Sequence, residues 1–161
     1  MASPAIAAAV HTERGSLDDL DAVMHVMEAA FGTTYGEAWT RSQCAGILPM
    51  SGVSLTVAHD ADTGETVGFS LCRSVADDSE LLLLAVLPSR HRHGIGTRLL
   101  DEFVETAREK GVGRLHLEVR DGNPAVDMYR GAGFSLAGRR RNYYRGEDGR
   151  RFDALTLVRT I

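Results

Sequence analysis

Apolar residues recur at helical spacing at Leu20, Met24, Met27 and Phe31, which predicts an amphipathic helix over residues 17–31. Ser16 stands where an N-cap belongs, with Asp19 three residues on as a short relative of the capping box. A strand precedes it from Ala7 to Glu13, and a shorter helix follows from Thr40 to Ile47. The period then changes to two. Val53, Leu55 and Val57 alternate on one strand and Val67, Phe69 and Leu71 on the next, with Asp62-Thr63-Gly64 as the hairpin turn between them. Leu81–Leu87 is an unbroken apolar run, the pattern of a strand covered on both faces.

The second half alternates strand and helix. Pro88–His93 reads as a loop, after which Ile95, Leu99, Leu100, Phe103, Val104 and Ala107 fall on one helical face. Gly111 suits the C′ stop of that helix. Leu115, Leu117 and Val119 then alternate with His116 and Glu118 on a strand. Asn123-Pro124 fits an N-cap followed by proline in the first turn, opening a helix to about Arg130. Residues 134–141 and 151–158 read as a last antiparallel pair joined across Gly146–Gly149. The elements assemble into an α/β (α+β) fold over residues 1–161, a mixed sheet with helices on both faces.

Composition bounds this picture without changing it. A chain of 161 residues suits one domain, since domains run to about 100–150 residues. Leu81–Leu87 is too short to cross a bilayer. Met1–Val10 carries no basic residue and does not read as a signal peptide, so no membrane association and a cytoplasmic location are expected. Cys44 and Cys72 lack the spacing of a disulfide framework or a zinc site and read as small buried hydrophobes. Charge divides by halves. Residues 1–80 hold 3 Arg against 12 Asp or Glu, a net of −9, whereas residues 81–161 hold 15 basic against 10 acidic residues, a net of +5. Such a chain suits an anion in its second half and a cation in its first, or merely a charged solvated surface.

The chemistry concentrates at Arg92-His93-Gly94-Ile95-Gly96-Thr97, between the apolar strand and the long helix. Glycines there let successive N–H groups turn inward, and the helix N-terminus adds partial positive charge, as a phosphate cradle requires. No Gly-Lys-Ser/Thr follows, so it is not a Walker A loop, and Leu99 replaces the third glycine of a dinucleotide fingerprint. An ordinary glycine-rich turn has the same composition. His91 and His93 have no carboxylate or cysteine at ligand spacing, and no metal is expected.

The stretch Leu-Leu-Leu-Leu-Ala-Val-Leu-Pro from Leu81, followed by Arg-His-Arg-His-Gly-Ile-Gly-Thr-Arg-Leu-Leu, resembles the coenzyme A motif of the GCN5-related N-acetyltransferase (GNAT) family. Leu117-Glu118-Val119-Arg120, Asn123, Met128-Tyr129 and Gly133-Phe134 continue the resemblance. Arg140-Arg141-Asn142-Tyr143-Tyr144 is similar to the ribosomal-protein alanine N-acetyltransferases within it. The likeness is strong from about residue 80 to 158 and general before it, where Phe31 and Trp39 match that subfamily's first two helices. It implies a mixed, mostly antiparallel seven-stranded sheet and acetyl-CoA as co-substrate. Main-chain groups of Leu84, Ala85 and Val86 would then pair with the pantetheine arm, and Arg92, His93, Gly94, Ile95, Gly96 and Thr97 would hold the pyrophosphate. It also implies Glu118 as general base and Tyr129 as general acid.

Each role has a plainer alternative: a solvated charge for Glu118, and packing on Phe134 for Tyr129. Phenol near pKa ~10 must protonate a thiolate near ~8.5, so a modest environmental shift would have to offset the difference. Two positions depart from the family pattern. His91 stands where Gln or Arg is usual, and Asn123 lies one residue closer to Tyr129 than in related sequences, so Asn123 serves either as a cofactor contact or only as a helix cap. Six arginines crowd residues 139–151, with Tyr143 and Tyr144 as the only stacking platform, which disfavours nucleic acid. The expected activity is direct acetyl transfer from acetyl-CoA to an amine, foremost the N-terminal α-amine of a protein, with a ribosomal protein as the acceptor the resemblance implies. Small-amine or lysine acetylation is the alternative reaction, and a non-catalytic acyl-CoA sensor the alternative class.

Overall fold

Local signals in the chain place the helix starts of the computed structural model, which describes residues 9–161. Ser16 and Asp19 form a reciprocal capping box, and the turn they open, Leu17–Asp19, is 3₁₀ before the helix α1, Leu20–Phe31, begins. A second capping box, in which the Gln43 amide N–H donates to Thr40 Oγ1 at 3.1 Å and Gln43 Oε1 accepts from the Thr40 N–H at 2.8 Å, starts α2, Arg41–Ile47. The first strand, β1, is Val10–Arg14. Ala7 and Ala8, included in the strand read from sequence, lie outside the described residues.

The remaining elements are β2 Val53–Asp60, β3 Thr66–Val75, β4 Asp78–Val86, α3 Ile95–Glu109, β5 Arg114–Arg120, α4 Ala125–Gly131, β6 Ser135–Arg145 and β7 Arg151–Thr160. They form one seven-stranded sheet in the order β1-β2-β3-β4-β5-β7-β6. Only the β4–β5 pair is parallel. Six consecutive residues of β3, Val67–Cys72, are buried, which requires cover on both faces. Helix α3 supplies one face: the position a Gly68 Cβ would take lies 3.3 Å from Ile95 and 3.4 Å from Leu99. Helix α1 supplies the other through Val23, Val26 and Met27. No helix among the described residues is long and apolar enough to cross a membrane.

Two strands differ from the sequence reading. Leu81–Leu87 is not covered on both faces, because Leu82 and Leu84 are only half-buried and line an open gap. The gap exists because β5 pairs with β4 only from Asp78↔Arg114 to Leu81↔Leu117, and beyond that point the strands part. Strand β6 runs on to Arg145 through a register shift between Arg140 and Tyr144, where Asn142 takes a left-handed φ of 55°.

Candidate functional site

The parted strands β4 and β5 bound a cleft of about 650 Å³. Ladder alternation decides what β4 offers to it. The Leu87 N–H donates to the Val67 carbonyl at 2.8 Å, and Ala85 is the register partner of Phe69. Alternate pairs in an antiparallel ladder exchange bonds, so Ala85 turns its main-chain groups to β3, while Leu84 and Val86 turn theirs to the gap. One of these groups is already engaged: His91 Nε2 donates to the Val86 carbonyl at 3.0 Å.

The glycine loop closes one end of the cleft. Arg92 and Gly94 both hold left-handed backbone, at φ 66° and 76°, and this curls the chain into the first turn of α3. The first helical bond runs from the Arg98 N–H to the Gly94 carbonyl, so the amides of Ile95, Gly96 and Thr97 have no helical acceptor. A Cβ on Gly96 would lie 3.2 Å from Met128 Sδ and 3.8 Å from both Leu84 and Val86, filling the space between helix and strand. His91, Arg92, Gly94, Gly96 and Thr97 line the cleft, as does the backbone of Ile95, whose side chain is buried beneath Gly68. His93 is exposed and does not line it.

Leu117 and Val119 pack with α3 and α4 residues, so Glu118 between them projects from the opposite face of β5. Its carboxylate accepts from Thr156 Oγ1 at 2.8 Å and forms an ion pair with Arg140, whose Nε lies 2.9 Å away. Thr156 is its register partner on β7. Tyr129 is buried on α4, edge to face with Phe134 at 6.2 Å between ring centroids, and it borders the cleft. Burial, with the Glu37 charge adding to it, pushes the Tyr129 phenol well above its ordinary range. This is opposite to the shift that would ease its loss of a proton. Asn123 uses both ends of its amide internally. Its Oδ1 accepts from the Ala125 N–H at 2.9 Å and caps α4, and its Nδ2 donates to Glu37 at 2.8 Å.

Glu37 is the site residue that sequence reasoning missed. It comes from the segment between α1 and α2, with a side chain 9% exposed, and accepts from Arg120 Nε at 3.1 Å. The Arg120 guanidinium lies 3.6 Å over the Tyr35 ring. Glu37 also adds to burial in raising Tyr144. A near-buried carboxylate thus joins the α1–α2 segment to the ends of β5 and α4. Its one sequence signal was an acidic residue between two aromatics, Tyr35 and Trp39.

The acetyltransferase (GNAT) family model matches residues 20–134. The Haemophilus influenzae protein named ribosomal protein bS18-alanine N-acetyltransferase is 35% identical over 97 residues, which is 60% of this chain and 66% of the relative. Its namesake from Escherichia coli K12 is 37% identical over 99 residues, 61% of this chain and 66% of the relative. The chain therefore spans slightly under two thirds of these relatives' length. The crystal structure of the ribosomal-protein-S18-alanine N-acetyltransferase from Escherichia coli superposes with a TM-score of 0.85 at 28% identity, covering 95% of this chain and 94% of that one.

Proposed function

The chain belongs to the acetyltransferase (GNAT) family, and from that premise we propose that it transfers an acetyl group from acetyl-CoA to the N-terminal α-amine of a protein. The observation that carries this reading is that the β4–β5 gap passes through the sheet. The main-chain groups of Leu84 and Val86 point into the gap, their side chains and the curled loop at Gly94–Gly96 lie on the α3 side, and Glu118 faces the other side. A donor seated along α3 and an acceptor entering beside α1 therefore meet at the gap without sharing an entrance.

The residues divide the work accordingly. The free amides of Ile95, Gly96 and Thr97, with Arg92, hold the pyrophosphate, and Gly96 leaves the space the arm needs. Leu84 and Val86 hydrogen-bond the pantetheine as an added strand would, with Ala85 only a spacer. Glu118, directly or through a water, takes a proton from the acceptor ammonium, whose nitrogen then attacks the thioester carbonyl. As the carbon–sulfur bond breaks, the Tyr129 hydroxyl hydrogen-bonds to the departing sulfur, and the second proton of the attacking amine passes to the thiolate to give the free thiol. The raised phenol makes Tyr129 a hydrogen-bond donor that stays protonated rather than a strong acid. Asn123 acts as helix cap and not as a cofactor ligand. Glu37, Glu80 and Glu118 line the cleft together with Arg90, Arg92 and Arg120. Glu37 is paired with Arg120, and Glu118, whose cation partner Arg140 is exposed, is the carboxylate that favours a cationic acceptor. Both cysteines are free and buried, which supports a reducing, cytoplasmic setting. The relatives' names support a ribosomal protein as acceptor.

The test is competition between a peptide with a free, small N-terminal residue and its N-terminally blocked, lysine-containing twin. Thiol release from acetyl-CoA at pH 7–8 should follow the free peptide, because an α-amine pKa lies about two units below that of lysine. Faster reaction of the blocked twin would shift the assignment to lysine. Binding of acetyl-CoA without thiol release from any amine would point to a sensor.

A further inference from the structure

Resting on the acetyl-CoA reading above, we propose that Asp60, at the end of β2 and outside the cleft, is a positioning residue that sets the phosphate cradle through Arg90. The Asp60 side chain is only 6% exposed. Its Oδ1 accepts from the amides of Asp62 and Thr63 at 2.8 and 3.1 Å, which fixes it rigidly in the β2–β3 turn. Its Oδ2 accepts from Arg90 Nη1 at 2.8 Å, and Glu65 lies 3.4 Å from Arg90 Nη2. Arg90 closes the 3₁₀ turn Pro88–Arg90, two residues before Arg92.

Arg92 supplies the second, independent observation. It is a non-glycine residue in left-handed backbone, a conformation that persists only where the surroundings over-determine it. Two pins flank it on the N-terminal side: Arg90 held by Asp60, and His91 held on the Val86 carbonyl. On the C-terminal side the chain enters α3. With the Arg90 pin released, the segment from Pro88 to His93 relaxes away from the left-handed turn, and the amides of the cradle lose their common aim. The Asp60 carboxylate does not line the cleft, whereas Arg90 does, so its effect reaches the donor through Arg90 and the loop that follows it.

The experiment compares acetyl-CoA with acetyl-pantetheine, which has the same thioester arm but no pyrophosphate. In Asp60→Asn, which keeps an Oδ1 acceptor for the two amides, the KM for acetyl-CoA should rise about 10- to 100-fold with kcat nearly unchanged. Acetyl-pantetheine should keep its wild-type kcat/KM, and coenzyme A binding by calorimetry should weaken in step with KM. Arg90→Gln should reproduce this phosphate-specific loss, and the double variant should be no worse than either single one. Parallel losses for both donors, or no loss for either, would overturn the assignment by making the pair merely structural. A wild-type chain that neither binds coenzyme A nor consumes acetyl-CoA would instead overturn the acetyl-CoA reading, and the anchor with it.

Discussion

Arg140 and Glu118 form an ion pair, Nε to Oε1 at 2.9 Å, between a side chain that is 62% exposed and one that is 13% exposed. The guanidinium approaches from the irregular part of β6 and sits where an acceptor ammonium must come to reach the carboxylate. Two cations there repel, and an ion pair exposed on one side is worth only about 0.2–1 kcal/mol. Under the proposed function an arriving ammonium therefore displaces Arg140. Arg140→Ala is expected to lower the KM of a cationic peptide acceptor by up to about fivefold, with the KM for acetyl-CoA unchanged. Steady-state kinetics with each substrate varied in turn checks this, and a raised acceptor KM would show that Arg140 assists binding.

Removing the carboxylate tests the base itself. Glu118→Gln keeps an oxygen for Thr156 but cannot take a proton, and turnover near neutral pH should fall roughly 10²- to 10⁴-fold. Raising the pH should restore part of the rate, because more of an α-amine with pKa near ~8 is then already neutral. Coenzyme A binding should stay close to wild type by calorimetry. An unchanged rate removes Glu118 from the chemistry.

Tyr129 has the opposite pH signature. Burial first, and the Glu37 charge second, hold its phenol above the ordinary value of 10.0. It remains protonated throughout a pH 7–9 assay and contributes no basic limb there. Tyr129→Phe should slow the single-turnover rate without rescue at higher pH, and the two profiles should run parallel. A basic limb present only in the wild type would contradict this.

Asp60 makes stability depend on pH in a defined direction. The hydrogen bond from Arg90, then the amides of Thr63 and Asp62, hold its carboxyl below the usual value of 3.8. A depressed carboxyl contributes stability that is fully present above its unfolded pKa, and that stability is lost as pH falls through the folded one. The Tm advantage of wild type over Asp60→Asn should therefore be constant from pH 7 to 5 and shrink on approach to pH 3. Calorimetric melts of the two proteins in matched buffers measure it, and an advantage that grows on acidification would reverse the sign.

What the sequence determined by itself was whatever neighbouring residues settle among themselves. Ser16 with Asp19 and Thr40 with Gln43 act across one helical turn, and these caps start the 3₁₀ turn at Leu17 and α2 at Arg41 within a residue of the positions read from the chain, with α1 itself following at Leu20. Period-two apolar residues in β2 and β5, and the helical stripe from Ile95 to Ala107, state which face is buried before any partner is known, whereas β3 is buried on both faces. The glycine loop was legible for the same reason, since left-handed backbone at Gly94 is a property of that residue and its immediate neighbours. Glu118 was legible as a charge set between apolar residues on a strand, and the resemblance supplied the role proposed for it.

Tertiary structure alone decided what those residues meet. Thr156 and Arg140 reach Glu118 because β7 inserts between β5 and β6, a strand order that no spacing announces. Glu37 finds Arg120 and Asn123 across more than eighty residues of chain, and Asp60 finds Arg90 only because the β2–β3 turn lies beside the loop after β4. The run Leu81–Leu87 reads as fully buried because each residue is apolar. Whether its second face is covered depends instead on where β5 stops pairing with β4. Periodicity and capping are set by backbone geometry over a few residues, whereas pairing of distant charges and the parting of two strands are set by packing of the whole sheet, and in this chain the site is made by the second kind of choice.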